Sequence, residues 1–382
     1  MSDKKTRKLL CVIAGTAVVL AASLAAWHWG RFQSVEQRLA HIEAERAIAD
    51  SENAATLYVK IPACDISDRA YDSYLFGGGH SRHSESLTLW RREEKPKWAQ
   101  WMQRHQHIIK ALFEATAREK CVFPIMTARS PDALSHFDQN STLNKMDHWT
   151  VLLCMAIQND IAEGRLDAAI AKLTCTLRCV DHLYQQPGPY FIHGNCIETD
   201  ALQIAAFIVA SEQVTDSQLD TVQAALLNVE DRIEEELATL EHVEDIARSM
   251  RPPLSVRIRE WSWATGVSSR EAVKVIRPAY KHTLSFRRGC YITVALRRHK
   301  LRSGDWPESL DDVSPMIDAE ALIDPQNGDA FVYRLTEGGF TLYSKGPNGV
   351  DDGGPGVSDD RVVWSSQKTE PNAKEESVDD EQ

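Results

Sequence analysis

Two short pairs of soft donors frame a turn near the middle of this 382-residue chain: Cys179-x-x-His182 and His193-x-x-Cys196. Two thiolates and two imidazoles are a donor set for tetrahedral zinc, and the mirror-image spacing puts all four within a short stretch. The gap between the pairs holds Pro187-Gly188-Pro189, and its flanks carry helical core patterning, so buried cysteines and loop histidines are the competing reading. His80, His83, His105 and His107 form the other concentration of titratable groups. The fold could assemble a dyad there, or the rings could face solvent. Cys154 and Cys175 stand on either side of Gly164; an antiparallel helix pair would make them core neighbours or a disulfide. The acids Glu234, Glu235, Glu236, Glu241, Glu244 and Asp245 read as a solvated face, because a carboxylate metal site would need ligands from a facing helix. Gly-x-Ser-x-Gly, His-Glu-x-x-His and a glycine-rich nucleotide fingerprint do not occur in the sequence. Gly77-Gly78-Gly79 lacks the Lys-Ser/Thr of a phosphate-binding loop and reads as a surface loop.

The elements that would position these groups are mostly helical. Apolar residues at three- and four-residue steps predict helices over 32–48, 97–118, 148–162, 166–184, 196–212, 216–250 and 280–302. Glu163-Gly164-Arg165 forms the turn of a helical hairpin, with Gly164 suited to the left-handed position after a helix end. Thr215 or Asp216 caps the long helix, and Pro252-Pro253 ends it. The last helix is rich in arginine (Arg287, Arg288, Arg297, Arg298, Arg302), a basic stripe suited to the acidic helix before it. After Gly304 the texture changes. Phe331 to Arg334 and Phe340 to Tyr343 are β-prone runs joined by Glu337-Gly338-Gly339, a hairpin signal, and Val362-Val363-Trp364 offers a third strand.

Composition bounds the function classes. Hydrophobic content of 43% and charged content of 26% are ordinary for a globular protein. A net charge of −12 argues against a general nucleic-acid binder, which needs a basic face. Thr369 to Gln382 is acid-rich without large apolar groups and reads as a disordered tail. At the other end, Lys4, Lys5, Arg7 and Lys8 precede an uncharged run from Leu9 to Trp29. A run of about 20 residues is the length a helix needs to cross a bilayer. Trp27 and Trp29 suit the far headgroup zone, and the basic cluster marks the cytoplasmic side. A cleavable leader is the rival reading, since Ser23-Leu24-Ala25-Ala26 suits signal peptidase. Of eight cysteines, Cys11 lies in this run; the other seven would sit in a compartment that permits disulfides.

From about Ala295 to Trp364 the chain resembles the C-terminal half of G-class pseudopilins of type II secretion. The shared pieces are Ala295-Leu296, Gly304-Asp305-Trp306-Pro307, Ser309-Leu310, Asp324-Pro325 with Gly328, the strand ending at Tyr333, Phe340 to Ser344, Gly346 to Gly356, Asp359-Asp360 and Trp364. The resemblance implies a helix with a β-hairpin and calcium in the loop after it. Carried over, the ligand set is Ser344, Asn348, Asp351, Asp352, Asp359 and Asp360, with Asn348 where the family has Asp. Calcium takes six to eight oxygens, and a glycine-bearing Asp/Asn/Ser loop can supply them for a structural ion. The chain lacks the pseudopilin leader: Ala14-Gly15 lies inside the apolar run, and no Glu follows before Glu36. As a whole it also resembles membrane-anchored proteins of planctomycetes, through Ser51-Glu52-Asn53-Ala54-Ala55, the Gly164 hairpin and the C-terminal module. The Gly164 hairpin itself resembles one tetratricopeptide-type unit, with Ala169 in the matching position.

The expected protein is mainly α. It has a basic stub and transmembrane helix over 1–30, a helical extracytoplasmic domain over 31–278, a pseudopilin-like module over 279–366 and an acidic tail over 367–382. The expectation is a single-pass inner-membrane protein that acts as a non-enzymatic envelope scaffold with envelope protein partners. An anchored hydrolase without a recognisable motif and an accessory part of a secretion-like assembly are the alternatives.

Overall fold

A computed structural model of the protein describes residues 40–68, 89–124, 142–186, 189–229, 231–235, 237–238, 269–354 and 359–365, with positions 23 and 37 besides. The described chain is mainly helical with one small antiparallel sheet. The expected anchor over 1–30, the Gly77 loop with His80 and His83, most of the acidic stretch after 235 and the tail over 367–382 lie outside the described residues. Among the described residues no helix is long and apolar enough to cross a membrane.

The hairpin predicted around Gly164 is the centre of the fold. Helices α3 (Thr142–Ala162) and α4 (Leu166–Tyr184) meet at Gly164, whose φ of 73° is the left-handed conformation that glycine adopts without a Cβ clash. From Leu152 to Ile161 every residue of α3 is buried, Gln158, Asn159 and Asp160 included, so this helix runs through the interior. Helix α5 (Pro189–Ala210) packs on both members of the hairpin. It starts earlier than expected, which moves His193 and Cys196 from a loop onto a helix. Gly194 lets α5 approach α4 closely: a Cβ there would lie 3.1 Å from Leu183 Cβ and 3.2 Å from a Tyr184 ring carbon.

Two expected helices are broken, each for a reason remote in sequence. Residues 97–118 form α1 (Pro96–Arg104) and α2 (Gln106–Thr116), separated at His105. The His105 ring is buried; Nδ1 donates to the Trp101 carbonyl at 2.8 Å and Nε2 accepts the Asp65 N–H at 3.0 Å, so the break fastens a distant loop. The helix predicted over 216–250 stops at Leu227 as α6 (Asp216–Leu227), with helical residues resuming at 233–235. Thr215 caps α6 reciprocally with Gln218. At the break, Arg287 Nη1 donates to the Val229 carbonyl at 2.9 Å and satisfies a group the helix has released.

Helix α7 (Ser269–Ser303) spans 35 residues and serves two cores. Ile276, Tyr280, Leu284, Cys290 and Val294 belong to the helical core, built around Trp101, Trp149, Tyr58, Leu152 and Phe191. Tyr291, Ile292, Ala295 and Leu296 belong to a second core with Val313, Phe331, Phe340, Leu342 and Val363. The expected boundary at 278/279 therefore falls inside a helix shared by both parts. The sheet order is β1 (Val332–Thr336), β2 (Gly339–Ser344), β3 (Arg361–Ser365), all antiparallel. Thr336 pairs Gly339 across a two-residue turn with Gly338 at φ 87°, as the hairpin signal required. The third strand is present, with a register shift between Leu342 and Tyr343. Gly289 on α7 faces Val363 of β3 so closely that an added Cβ would lie 2.9 Å from Val363 Cβ.

Candidate functional site

The loop between β2 and β3 carries the six oxygen donors implied for calcium, and the structure divides them. Ser344 is committed elsewhere: its hydroxyl donates to the Asp324 carboxylate and accepts from Gly346 N at 2.9 Å. Asp324 is fully buried and also accepts from Gln326 N and Asn327 Nδ2, each at 3.0 Å. It organises the turn that the Asp324-Pro325 motif marked without revealing its role. Asn348 Nδ2 donates to Asp359 Oδ1 at 2.6 Å, and Asn348 Oδ1 accepts Val350 N at 2.7 Å. Asp351 accepts Tyr343 Oη–H at 2.7 Å, and its two oxygens share Arg334 Nη2 at 3.0 and 3.1 Å. Those contacts, the tyrosine's first, hold the Asp351 carboxyl below the usual carboxylate range.

Asp352 and Asp360 are brought together. Asp360 Oδ2 accepts Asp352 N at 3.1 Å and Gly354 N at 2.9 Å. Asp360 Oδ1 and Asp352 Oδ2 are enclosed and have no hydrogen-bond partner among the described residues. Buried carboxylate oxygens are ordinarily paired. Two such oxygens in one loop fit a hard cation, with backbone carbonyls and water completing its shell. Among the described residues no group of three or more His, Cys, Asp or Glu is arranged around a metal position, so the fit rests on this pair rather than on all six residues.

The zinc quartet does not converge. Cys179 and His182 face the core on α4, where Tyr58 Oη lies 2.9 Å from His182 Nδ1 and 3.4 Å from Cys179 Sγ. His182 Nε2 meets the Arg118 carbonyl at 2.9 Å. A carbonyl only accepts, so Nε2 carries the proton and Nδ1 accepts from Tyr58; both ring nitrogens are occupied. Burial then holds the His182 pKa down to about 4. His193 pairs with Asp147 at 2.8 Å, and Cys196 is exposed. Of the two readings of Cys154 and Cys175, the structure has the core residues and not the disulfide: both are buried free thiols. Burial pushes the Cys64 and Cys290 thiols up to about 12, and raises Cys121 and Cys154 as well, which removes thiolate character from them.

Sequence reading missed the most buried ion pair. Glu198 on α5 is fully buried, and Arg287 on α7 grips it with two nitrogens, Nε and Nη2, the latter at 2.8 Å from Oε2. Tyr184 Oη donates to the same oxygen at 2.6 Å. An acid inside the apolar stretch from Ile197 to Val209 was the available signal. The basic stripe does find acids, but on α6: Arg298 pairs with Asp216 and Asp220, and Arg302 with Asp216. Asn53, Gln185 and Gln186 were also missed. Their amides hold residues 119–123 as an extended segment: Asn53 meets Val122 N and O at 2.9 Å, and Gln186 Oε1 accepts Phe123 N at 2.9 Å.

Two surface clefts, of about 380 and 530 Å³, adjoin at the Gly164 turn and share Gly164 and Gln213 in their walls. Their charged side chains are of both signs: Arg91, Arg92, Glu93, Glu163, Arg165 and Asp167. No protein-family profile, no curated protein and no solved structure matches the chain.

Proposed function

We propose that this chain is a membrane-anchored envelope scaffold, non-enzymatic, which holds its helical body outside the cytoplasm and steadies its C-terminal module with calcium. The observation that carries the reading is where the polar groups of the core are spent. His105, His182, Glu198 and Arg287 each join elements far apart in sequence, and Asp324 ties its turn to Ser344 of β2. Such groups tie a frame together, whereas a catalytic set converges on an open cavity. The Asp352–Asp360 pair is the exception, and it supports a structural cation. In this reading the α3–α4 hairpin is one tetratricopeptide-like unit, and α7 with the sheet is a pseudopilin-like module, so accessory membership of a secretion-like assembly is the form of partnership to examine first. The basic stub and apolar run from Lys4 to Trp29 support the anchor.

The test is fractionation followed by crosslinking in intact envelopes. The reading expects the protein in the inner-membrane fraction, crosslinked to the same envelope proteins in repeated captures, with fewer crosslinks after calcium chelation. Recovery in the cytosolic fraction, or crosslinks indifferent to chelation together with turnover of an ester, peptide or glycoside substrate, contradicts it.

A further inference from the structure

The strand that follows the cation loop is attached in an unusual way. Asp360 directly precedes β3, and its Oδ2 fastens Asp352 N and Gly354 N to the root of the strand. Asp360 is 6% exposed, and its other oxygen, like Asp352 Oδ2, has no hydrogen-bond partner among the described residues. Carboxylates that share one loop repel, and a bound cation or a proton relieves that repulsion. Beyond this anchor β3 is held by four residue pairs with β2 and by α7. Its ladder to β2 is interrupted: Tyr343 pairs Val362 and Leu342 pairs Trp364, leaving Val363 bulged between them. The bulge turns Val363 toward α7, where it is buried at 6% exposure against Gly289 in a notch only a glycine leaves open. Val362, its neighbour, is 45% exposed. Among the described residues no strand neighbours the far side of β3.

We infer that β3 is a cation-set latch: an ion at Asp352 and Asp360 holds the strand on β2 and Val363 in the Gly289 notch, and loss of the ion releases the strand and bares the β2 edge. This rests on the calcium reading above and adds a consequence to it. With the ion removed, the carboxylates lose its neutralising charge at the root of a strand whose ladder carries a bulge. Once β3 leaves, the N–H and C=O groups of β2 that faced it become a pairing edge. Linkage makes the effect reciprocal, so any change that ejects Val363 from its notch must weaken calcium binding by the same factor that calcium favours docking.

The experiment uses the full-length protein and two readouts, calcium titration calorimetry and backbone amide exchange, each with calcium and with chelator. The latch expects calcium binding, and at least about tenfold faster exchange of 361–365 and of the β2 edge on chelation, while α4 amides are unchanged. Gly289→Ala, remote from the loop, is expected to speed β3 exchange in calcium and to weaken calcium affinity in parallel. Asp360→Asn is expected to leave β3 fast-exchanging under both conditions. Calcium binding with β3 exchange indifferent to chelator overturns the latch and leaves the calcium reading standing. Absence of calcium heat at millimolar ion overturns both.

Discussion

Neutralising Glu198 is the sharpest test of how the bundle is held. Its carboxylate is fully buried, and the Arg287 side chain is 8% exposed. Glu198→Gln keeps the shape and leaves Arg287 as an interior cation without its counter-ion. Burial opposes a lone guanidinium charge, and Glu198 is what stabilises it. Breaking a buried pair on one side costs about 3–5 kcal/mol, against a typical total stability of about 5–15 kcal/mol. Removing both partners is different. Glu198→Leu with Arg287→Met takes both charges out of the interior, leaving the Tyr184 hydroxyl and the Val229 carbonyl without their partners at about 1–3 kcal/mol each. The double variant is therefore expected to be more stable than the sum of its single variants predicts, by about 2 kcal/mol or more. The assay is urea unfolding at neutral pH with the m-value checked for constancy. Single variants that lose less than about 1 kcal/mol, or a double variant equal to the sum of the singles, refute the assignment.

His182 supplies a pH signature. Its folded pKa of about 4 lies below an unfolded value of about 6.5. Between these the unfolded chain binds more protons, so stability falls as pH drops from about 6.5 to 4, by roughly 3 kcal/mol in all. His182→Gln is expected to flatten that part of the curve relative to the parent; parallel curves contradict it. Calcium is expected to raise the melting temperature, with stabilisation near 2.7 kcal/mol at a concentration about 100 times Kd, and Asp360→Asn is expected to abolish the shift. Gly164→Ala places a Cβ at φ 73° and is expected to cost about 1–2 kcal/mol by chemical denaturation; an unchanged midpoint would show that the hairpin turn relaxes.

What was legible in the sequence was local. Gly164 gave both hairpin boundaries to within a residue, because a helix end and a left-handed glycine are decided by neighbours. The Glu337-Gly338 turn and the third strand followed from the same kind of signal. The helix breaks were not legible, since His105 answers to Asp65 and Val229 answers to Arg287, dozens of residues away. The zinc spacing misled for a related reason. Symmetry along the chain says nothing about which way side chains face, and α4 turns Cys179 and His182 inward while Cys196 on α5 is exposed. In the cation loop, composition identified the region, but only the structure separates the enclosed pair from Ser344 and Asp351, which already have partners.

Placement of the helical body outside the cytoplasm is tested most directly by the thiols. Cys64, Cys121, Cys154, Cys175, Cys179 and Cys290 are buried, whereas Cys196 is exposed. In cells with a permeabilised outer barrier and an intact inner membrane, a membrane-impermeant maleimide is expected to label Cys196, and Cys196→Ser to remove the label. Labelling of Cys196 only after the inner membrane is lysed would contradict the account.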